Sequence, residues 1–581
     1  MALERNEYPR PQFARDSWIT LNGQWSFSFD NQSFDKAIIV PFSYQYSASG
    51  INEQSIHKTL WYKRGFSITE EQSKQHSLLC FNGCNSETDV WVNGAHAIKH
   101  EGSFSPFCAD VTEYVKQGNN EIVVRCIDPY DSSLPRGKQS WNSSGFSCWY
   151  IPNGGIWQSV WIEFFGDDCI AKSHITPNLD TFSFEGEIET FYGIADEIEV
   201  TVSFEGEILR KQRFLLNGKY ARYTVWLPEH EIHEELYWTL DKPRLINVDY
   251  SLFAKGKEVD VAHTRFGMRK ISIDSNGKIC LNNKPIYQKL VLDQGYWAES
   301  GLTPPSAEAL KKDILAAKNM GFNGARKHQK LEDPYWYYYA DEIGFLTWCE
   351  MPSAYNFQKA EIAAITKEWQ EIVNIAMDFA SVIAYVPLNE SWGVKKILND
   401  TKQQDFARSL YYLTKSIDDS RLVSTNDGWE NISETDIVTI HDYASDGDEF
   451  QAKYSEDTYD IIYPQGRKLM ANNNFYSGQP VVFSEFGGIA KSTGNNDGQW
   501  GYGESAETSE AFYKRMKNLV DNIYSCDFQG YCYTQLSDVQ QEINGLLDEN
   551  HIPKYDLERI KSILSISVAK IQNTDINKKI N

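Results

Sequence analysis

Two glutamates occupy positions where a carboxylate is costly for folding and useful for chemistry. Glu390 lies in Val386-Pro387-Leu388-Asn389-Glu390-Ser391-Trp392-Gly393, and Glu485 in Val481-Val482-Phe483-Ser484-Glu485-Phe486-Gly487-Gly488. Each ends a short apolar, β-branched run, the pattern of a buried parallel strand that stops and gives way to a loop. Turn-formers and aromatics follow at once. Two carboxylates delivered to one mouth in this way can cleave a glycosidic bond.

Such delivery needs a parallel barrel, and the chain has its rhythm after about residue 274. Eight strand candidates follow one another: Ile286 to Leu292, Gly321 to Arg326, Phe345 to Cys349, Val382 to Pro387, Leu422 to Thr425, Ile437 to Ile440, Val481 to Ser484 and Phe528 to Thr534. Amphipathic stretches separate them, for example Ser306 to Met320, with Ser306 as N-cap and Gly321 just past the end. Eight βα units in residues 274–581 predict a TIM barrel. The long polar and aromatic connection from Tyr443 to Gln479 is expected to wall the mouth.

Polar residues stand at nearly every proposed strand end: Asp293, Arg326 with His328, Glu350, Asn389 with Glu390 and the adjoining Trp392, Asn426 with Asp427, His441 with Asp442 and Tyr443, Glu485, and Gln535. One such residue reads as a structural ion pair. A converging set does not, because unpaired buried charges cost several kcal/mol, on the order of 3–5 each.

The first half reads as β only. Residues 1–168 hold short runs such as Gly23 to Phe29, Leu60 to Phe66 and Thr88 to Val92, with turns at Asn22-Gly23, Asn82-Gly83 and Asn93-Gly94. About eight such strands suggest a jelly-roll sandwich. Residues 169–273 continue with Glu197 to Val202 and Tyr223 to Trp226, the rhythm of an immunoglobulin-like sandwich. No converging carboxylates appear before residue 274, so this half is expected to support the site without doing chemistry.

A formal net charge of −24 argues against a nucleic-acid or anionic-membrane surface. No run approaches a membrane span, and residues 1–15 hold no signal-like apolar stretch, so a cytoplasmic protein is expected. The ten Cys lack metal-ligand spacing and read as reduced structural thiols. His96 and His100 flank a turn with no carboxylate constellation, and neither a metal nor another cofactor is expected. Seventeen Trp, 33 Tyr and 30 Phe suit sugar stacking, though β-rich folds also favour them.

These motifs together resemble glycoside hydrolase family 2, which includes β-galactosidases, β-glucuronidases and β-mannosidases. Trp61-Tyr62-Lys63-Arg64-Gly65-Phe66 resembles its sugar-binding signature, Phe266-Gly267-Met268-Arg269-Lys270 its sandwich-to-barrel junction, and Gly321 to Glu350 its Arg-rich strand. Asn389-Glu390 resembles the acid/base motif and Ser484-Glu485-Phe486-Gly487 the nucleophile strand. The resemblance implies a retaining exo-glycosidase acting on a carbohydrate. Glu390 would be an acid/base whose pKa lies above that of the nucleophile, Glu485 that nucleophile above Arg326, Asn389 a partner of the sugar 2-hydroxyl and Tyr443 a donor to Glu485. Family members are commonly dimers or tetramers.

The chain departs from the usual Arg-x-Ser-His-Tyr-Pro stretch, reading Arg326-Lys327-His328-Gln329-Lys330, and its first strand ends Leu292-Asp293-Gln294-Gly295. No Asn-x-Lys carboxylate clamp is evident. Lys330 and Lys491 read as solvated surface charges, while Asp293, Glu350, Asp427 and Asp442 would repel a uronate. A neutral β-galactoside is therefore expected. An α-L-arabinoside, β-galactofuranoside, β-glucuronide or β-mannoside, a transglycosylase, and a non-catalytic carbohydrate-binding protein are the alternatives.

Overall fold

The computed structural model describes residues 5–228, 233–455, 459–491 and 498–565. Two β-only bodies precede a barrel-like one. In the first, a four-stranded antiparallel sheet (order Phe107–Asp110, His76–Phe81, Val160–Phe165, Trp18–Thr20) shares one apolar core with a six-stranded sheet. The six run Lys36–Val40, Gly23–Phe29, Thr59–Ile68, Gly118–Ile127, Glu87–Val92, Ala95–Glu101, so these two sheets hold ten strands where about eight were expected. Ile122, Val124 and Cys126, at alternate positions of one strand, point into that core with Trp25 and Tyr62.

The expectation of ten reduced thiols is corrected here. Cys80 and Cys108 lie directly opposite in an antiparallel pair and form a disulfide, while the other eight are free. They are 28 residues apart in the chain, so only the sheet makes them neighbours.

The second body pairs a five-stranded sheet with a three-stranded one (Ile170–Asn178, Ser183–Thr190, Tyr220–Trp226) around Ile198, Val200, Tyr250 and Phe184. The five-stranded sheet takes its edge strand, Phe13–Ala14, from the start of the chain. Arg15 then joins the two bodies, bonding Glu163 at 2.6 Å and Asp260 at 2.8 Å.

The third body is a curled sheet of eight parallel strands: β1 Gln288–Asp293, β2 Gly324–Lys327, β3 Leu346–Glu350, β4 Val382–Val386, β5 Leu422–Val423, β6 Val438–His441, β7 Val481–Gly487 and β8 Gly530–Thr534. Its edges, β5 and β6, approach through Ile437 N donating to Val423 O and His441 N donating to Gly428 O. Leu290, Leu292, Leu346, Trp348, Val482 and Cys532 fill the interior. Val291, Cys349, Val481 and Phe483 face outward against the helices.

Helices follow seven of the eight strands among the described residues, not all eight. The exception is the connection from β5 to β6. Only fourteen residues long, 424–437, it is held by side chains: Asn426 Nδ2 donates to Trp429 O, and Thr425 Oγ1 to Glu434 O. No described helix is long and apolar enough to cross a membrane.

Candidate active site

Arg326, fully buried, is the hub of the barrel mouth. Its Nε donates to Glu350 Oε2 at 2.8 Å, Nη1 to Glu485 Oε1 at 2.7 Å, and Nη2 to Asn389 Oδ1 at 2.7 Å. Nη1 also lies 2.7 Å from Asp427 Oδ2. One guanidinium from β2 thus ties together the ends of β3, β4, β5 and β7. Burial opposes its charge, but Asp427, Glu350 and Glu485 raise its pKa well above the ordinary value.

Glu485 is part of β7, and Tyr443, after β6, donates its hydroxyl to Glu485 Oε2. The Tyr443 ring stacks on Tyr502 at 3.5 Å. Glu390 and Ser391 have φ of 51° and 59°, a left-handed conformation that non-glycine residues rarely adopt. The loop after β5 holds them there. Glu390 N donates to Asp427 O at 2.9 Å, Ser391 N to Asn426 Oδ1 at 3.1 Å, and Ser391 Oγ to Glu430 Oε2 at 2.6 Å. The strained turn projects Glu390 toward Glu485, and an oxygen of each carboxylate lies within 4.8 Å of the other.

His441 sits between them, fully buried. Nδ1 is 2.9 Å from Glu390 Oε1 and Nε2 is 2.7 Å from Asp427 Oδ2. Burial works against an imidazolium here, yet Glu485, Asp427 and the bond to Glu390 push its pKa up to about 10. Asp427 is correspondingly held well below the carboxylate range: burial opposes this, and Arg326 and His441 outweigh it. Glu350 goes the other way, pushed up to about 8 by burial and the nearby Asp427 and Glu485 despite Arg326.

The Glu390 carboxyl is pulled in two directions. Burial does push it up, but the hydrogen bond and charge of His441, with Lys138, hold it below the ordinary value. His328 is kept neutral by burial and Arg326, with Nδ1 3.2 Å from Arg326 Nη2. Glu390, His441 and Glu485 are the cluster of ligand-type atoms found among the described residues. Those atoms already face Arg326, Asp427, Tyr443 and one another, so we assign no metal to them.

Asp293 is not brought to this cluster. It bonds Lys327 at 2.7 Å on the other side of the β2 end, within a closed ionic group. Lys330 is no surface charge either: fully buried, it bonds Glu332, Gly295 O and Leu302 O. Lys491, half-buried, lies over the Tyr555 ring. Asp442 turns away to Lys453, Tyr454 and Gln465. Gln535 bonds Gln294 and Asn544, and Trp392 packs edge-on against Trp149 and Tyr355.

The groups the sequence did not reveal come partly from the first β body. Gly137, at φ +57°, lies so close to Gln329 O that a Cβ would meet it at 2.3 Å. Arg136 N and Gly137 N both donate to Ser353 O at 3.0 Å. This docking carries Lys138 to the mouth, where burial opposes its charge and Cys148, Glu542, Tyr355 and Glu390 raise its pKa. Glu542, after β8, accepts from the Tyr150 hydroxyl at 2.6 Å. Trp141, Trp149 and Tyr355 join Trp392, which the sequence did mark, in a continuous ring cluster. The only sequence signal was the aromatic density of residues 141–157.

The model of the glycosyl hydrolases family 2 sugar-binding domain matches residues 16–148. A putative β-glucuronidase of Formosa agariphila is 26% identical over 416 residues, 70% of this chain and 49% of that protein. A β-galactosidase of Thermoanaerobacter pseudethanolicus is 22% identical over 419 residues, 69% and 53%. The chain spans about half the length of these curated relatives. A β-D-glucuronidase structure from Dictyoglomus thermophilum superposes with a TM-score of 0.77 at 19% identity, over 96% of this chain and 99% of that one. Ruminococcus gnavus β-glucuronidase gives 0.77 at 18%, over 97% and 100%. At these identities the structural likeness establishes the fold.

Proposed function

The chain belongs to glycoside hydrolase family 2, and from that premise we propose that it is a retaining, exo-acting β-glycosidase working by double displacement. The observation that carries this reading is that an oxygen of Glu390 and one of Glu485 lie within 4.8 Å of each other. Retaining enzymes place the pair about 5–5.5 Å apart, whereas inverting ones leave room for a water at about 6.5–9.5 Å. Glu485, oriented by Arg326 and Tyr443, attacks the anomeric carbon. Glu390 serves the leaving oxygen and then the incoming water. Asn389 gives its Oδ1 to Arg326, which leaves Nδ2 to donate to the sugar 2-hydroxyl. The aromatic cluster that includes Trp392 supports an exo mode. The same premise supports reading residues 1–168 as a jelly roll, 169–273 as immunoglobulin-like and 274–581 as the catalytic barrel.

For the sugar, a β-galactoside is the first reading, in line with the β-galactosidases among the relatives. One observation favours a β-glucuronide. The four acids expected to repel a uronate are engaged with cations or hydroxyls of their own, while Lys138 has no carboxylate within ion-pairing distance among the described residues. A half-buried ammonium with a thiol but no carboxylate beside it suits a substrate carboxylate. A mechanism-based fluoro-sugar of either type should label the peptide containing Glu485. Labelling of another carboxylate would refute the mechanism, and the faster of the two aryl glycosides decides the sugar.

A further inference from the structure

We propose that His441 holds the proton of the acid/base step: His441 and Glu390 keep one proton between them, and the proton on His441 Nδ1 is the one Glu390 hands to the glycosidic oxygen. This deepens the glycosidase reading and rests on it. His441 touches no sugar in this scheme; it is a positioning residue that acts through Glu390.

The geometry is a chain of contacts. Asp427 Oδ2, itself 2.7 Å from Arg326 Nη1, lies 2.7 Å from His441 Nε2, and His441 Nδ1 lies 2.9 Å from Glu390 Oε1. Glu485 Oε1 is 3.5 Å from Nε2, and the Trp429 ring covers one side at 5.7 Å. The groups facing Glu390 are Lys138 and Cys148 from the first body, His328 from the loop after β2, Tyr443 after β6, and Tyr502. None of these is hydrogen-bonded to Glu390; among the described residues the proton carrier that is so bonded is His441.

A general acid must arrive with a proton, and Glu390 is held ionised by the imidazolium beside it. The proton it lacks is therefore 2.9 Å away, on an imidazole that keeps it to about pH 10. When a sugar fills the mouth and expels water, a separated charge pair becomes less favourable and its neutral tautomer more so. The proton then moves from Nδ1 to Glu390. As Glu485 forms its bond to the anomeric carbon, the bond to the leaving oxygen breaks with its electron pair on that oxygen, and Glu390 supplies the proton. In the second half, water gives a proton to Glu390, its oxygen bonds the anomeric carbon, and Glu485 leaves as a carboxylate. The proton returns to Nδ1, and the cycle closes with no net change in the pair.

The test is the pH profile of kcat/KM for the wild type and for His441→Gln, on a glycoside with a poor leaving group. Expected is a wild-type basic limb above about pH 8, because the pair loses its shared proton only when the imidazole titrates. In His441→Gln, Glu390 must hold the proton alone, so that limb should fall by roughly two units, with a loss of about 100-fold at neutral pH. If His441 were only a neighbouring charge, its removal would raise the pKa of Glu390 and move the limb upward. An upward or unmoved limb overturns the proposal. Should the variant fail to fold, a wild-type basic limb confined below pH 6 overturns it equally, and one above pH 8 supports it. A protein that turns over no glycoside overturns both readings. Turnover with an unmoved limb overturns this one alone.

Discussion

Arg326 and Lys327 are consecutive residues of one strand, and each anchors a buried ionic cluster. Strand alternation sends them to opposite sides. Arg326 faces the barrel axis and gathers Glu350, Asp427 and Glu485, with His441 and Glu390 beyond. Lys327 faces outward and gathers Asp293 and Glu332, with Lys330 on Glu332. Both clusters mix cations with carboxylates at 2.7–2.8 Å. They differ in closure. The Lys327 group is sealed, every side chain 2% exposed or less, and its surplus donors end on the carbonyls of Gly295 and Leu302. The Arg326 group leaves Glu390 20% exposed and Glu485 6%. A satisfied, sealed cluster can hold loops together; an open one can act on a ligand. The same residue types therefore serve architecture on one side of a strand and, in the proposed reading, chemistry on the other.

The largest effect that would test this contrast is at Glu485. Glu485→Ala should reduce kcat by about 10⁴-fold or more, as removal of a nucleophile does, while the thermal midpoint changes little. A comparable loss from Asp293→Ala in the folded enzyme would break the distinction. Next is Glu390→Gln, expected to slow a poor-leaving-group substrate by about 10²–10⁴-fold and an activated aryl glycoside far less. Equal losses on both would argue against an acid role.

Lys327→Met should act on stability instead. It strands Asp293 in a buried site and leaves Glu332 to Lys330 alone, at a cost of about 3–5 kcal/mol, read as a lowered urea midpoint, with KM unchanged in the fraction that folds. The smallest effect belongs to Lys138→Met. If the substrate is a uronide, its kcat/KM should fall about 10-fold or more, the worth of a charge-assisted hydrogen bond, while that for a neutral glycoside holds. An equal fall for both sugars would place Lys138 in general support of the mouth.

Much of the barrel was legible because its signals are local. β-branched runs marked eight strands, and the strand ends marked Arg326, Glu350, Asn389, Glu390, Asp427, His441, Tyr443 and Glu485 as residues of one mouth. The same logic misplaced Asp293. As the last residue of β1 it looked equivalent to the others, but its partner Lys327 lies outside the mouth. The helix expected after β5 is absent because polar side chains, rather than a periodic apolar face, organise residues 424–437. Cys80 and Cys108 were read as separate thiols because nothing local records that two strands will lie side by side.

Residue type and period alone determined that this chain would build β bodies ahead of a parallel barrel, and that two glutamates would stand at its mouth. Both follow from short-range rules: apolar alternation, turn residues, and the cost of burying a carboxylate without a partner. Tertiary structure decided the rest. It brought Lys138 from the first body to a site in the third, set His441 between Glu390 and Asp427, and turned Asp293 and Lys330 into a sealed pair of ion contacts. Those outcomes depend on which groups meet across hundreds of residues. The charge state of a buried group is fixed by its neighbours, and neighbours from distant segments exist only once the chain has folded.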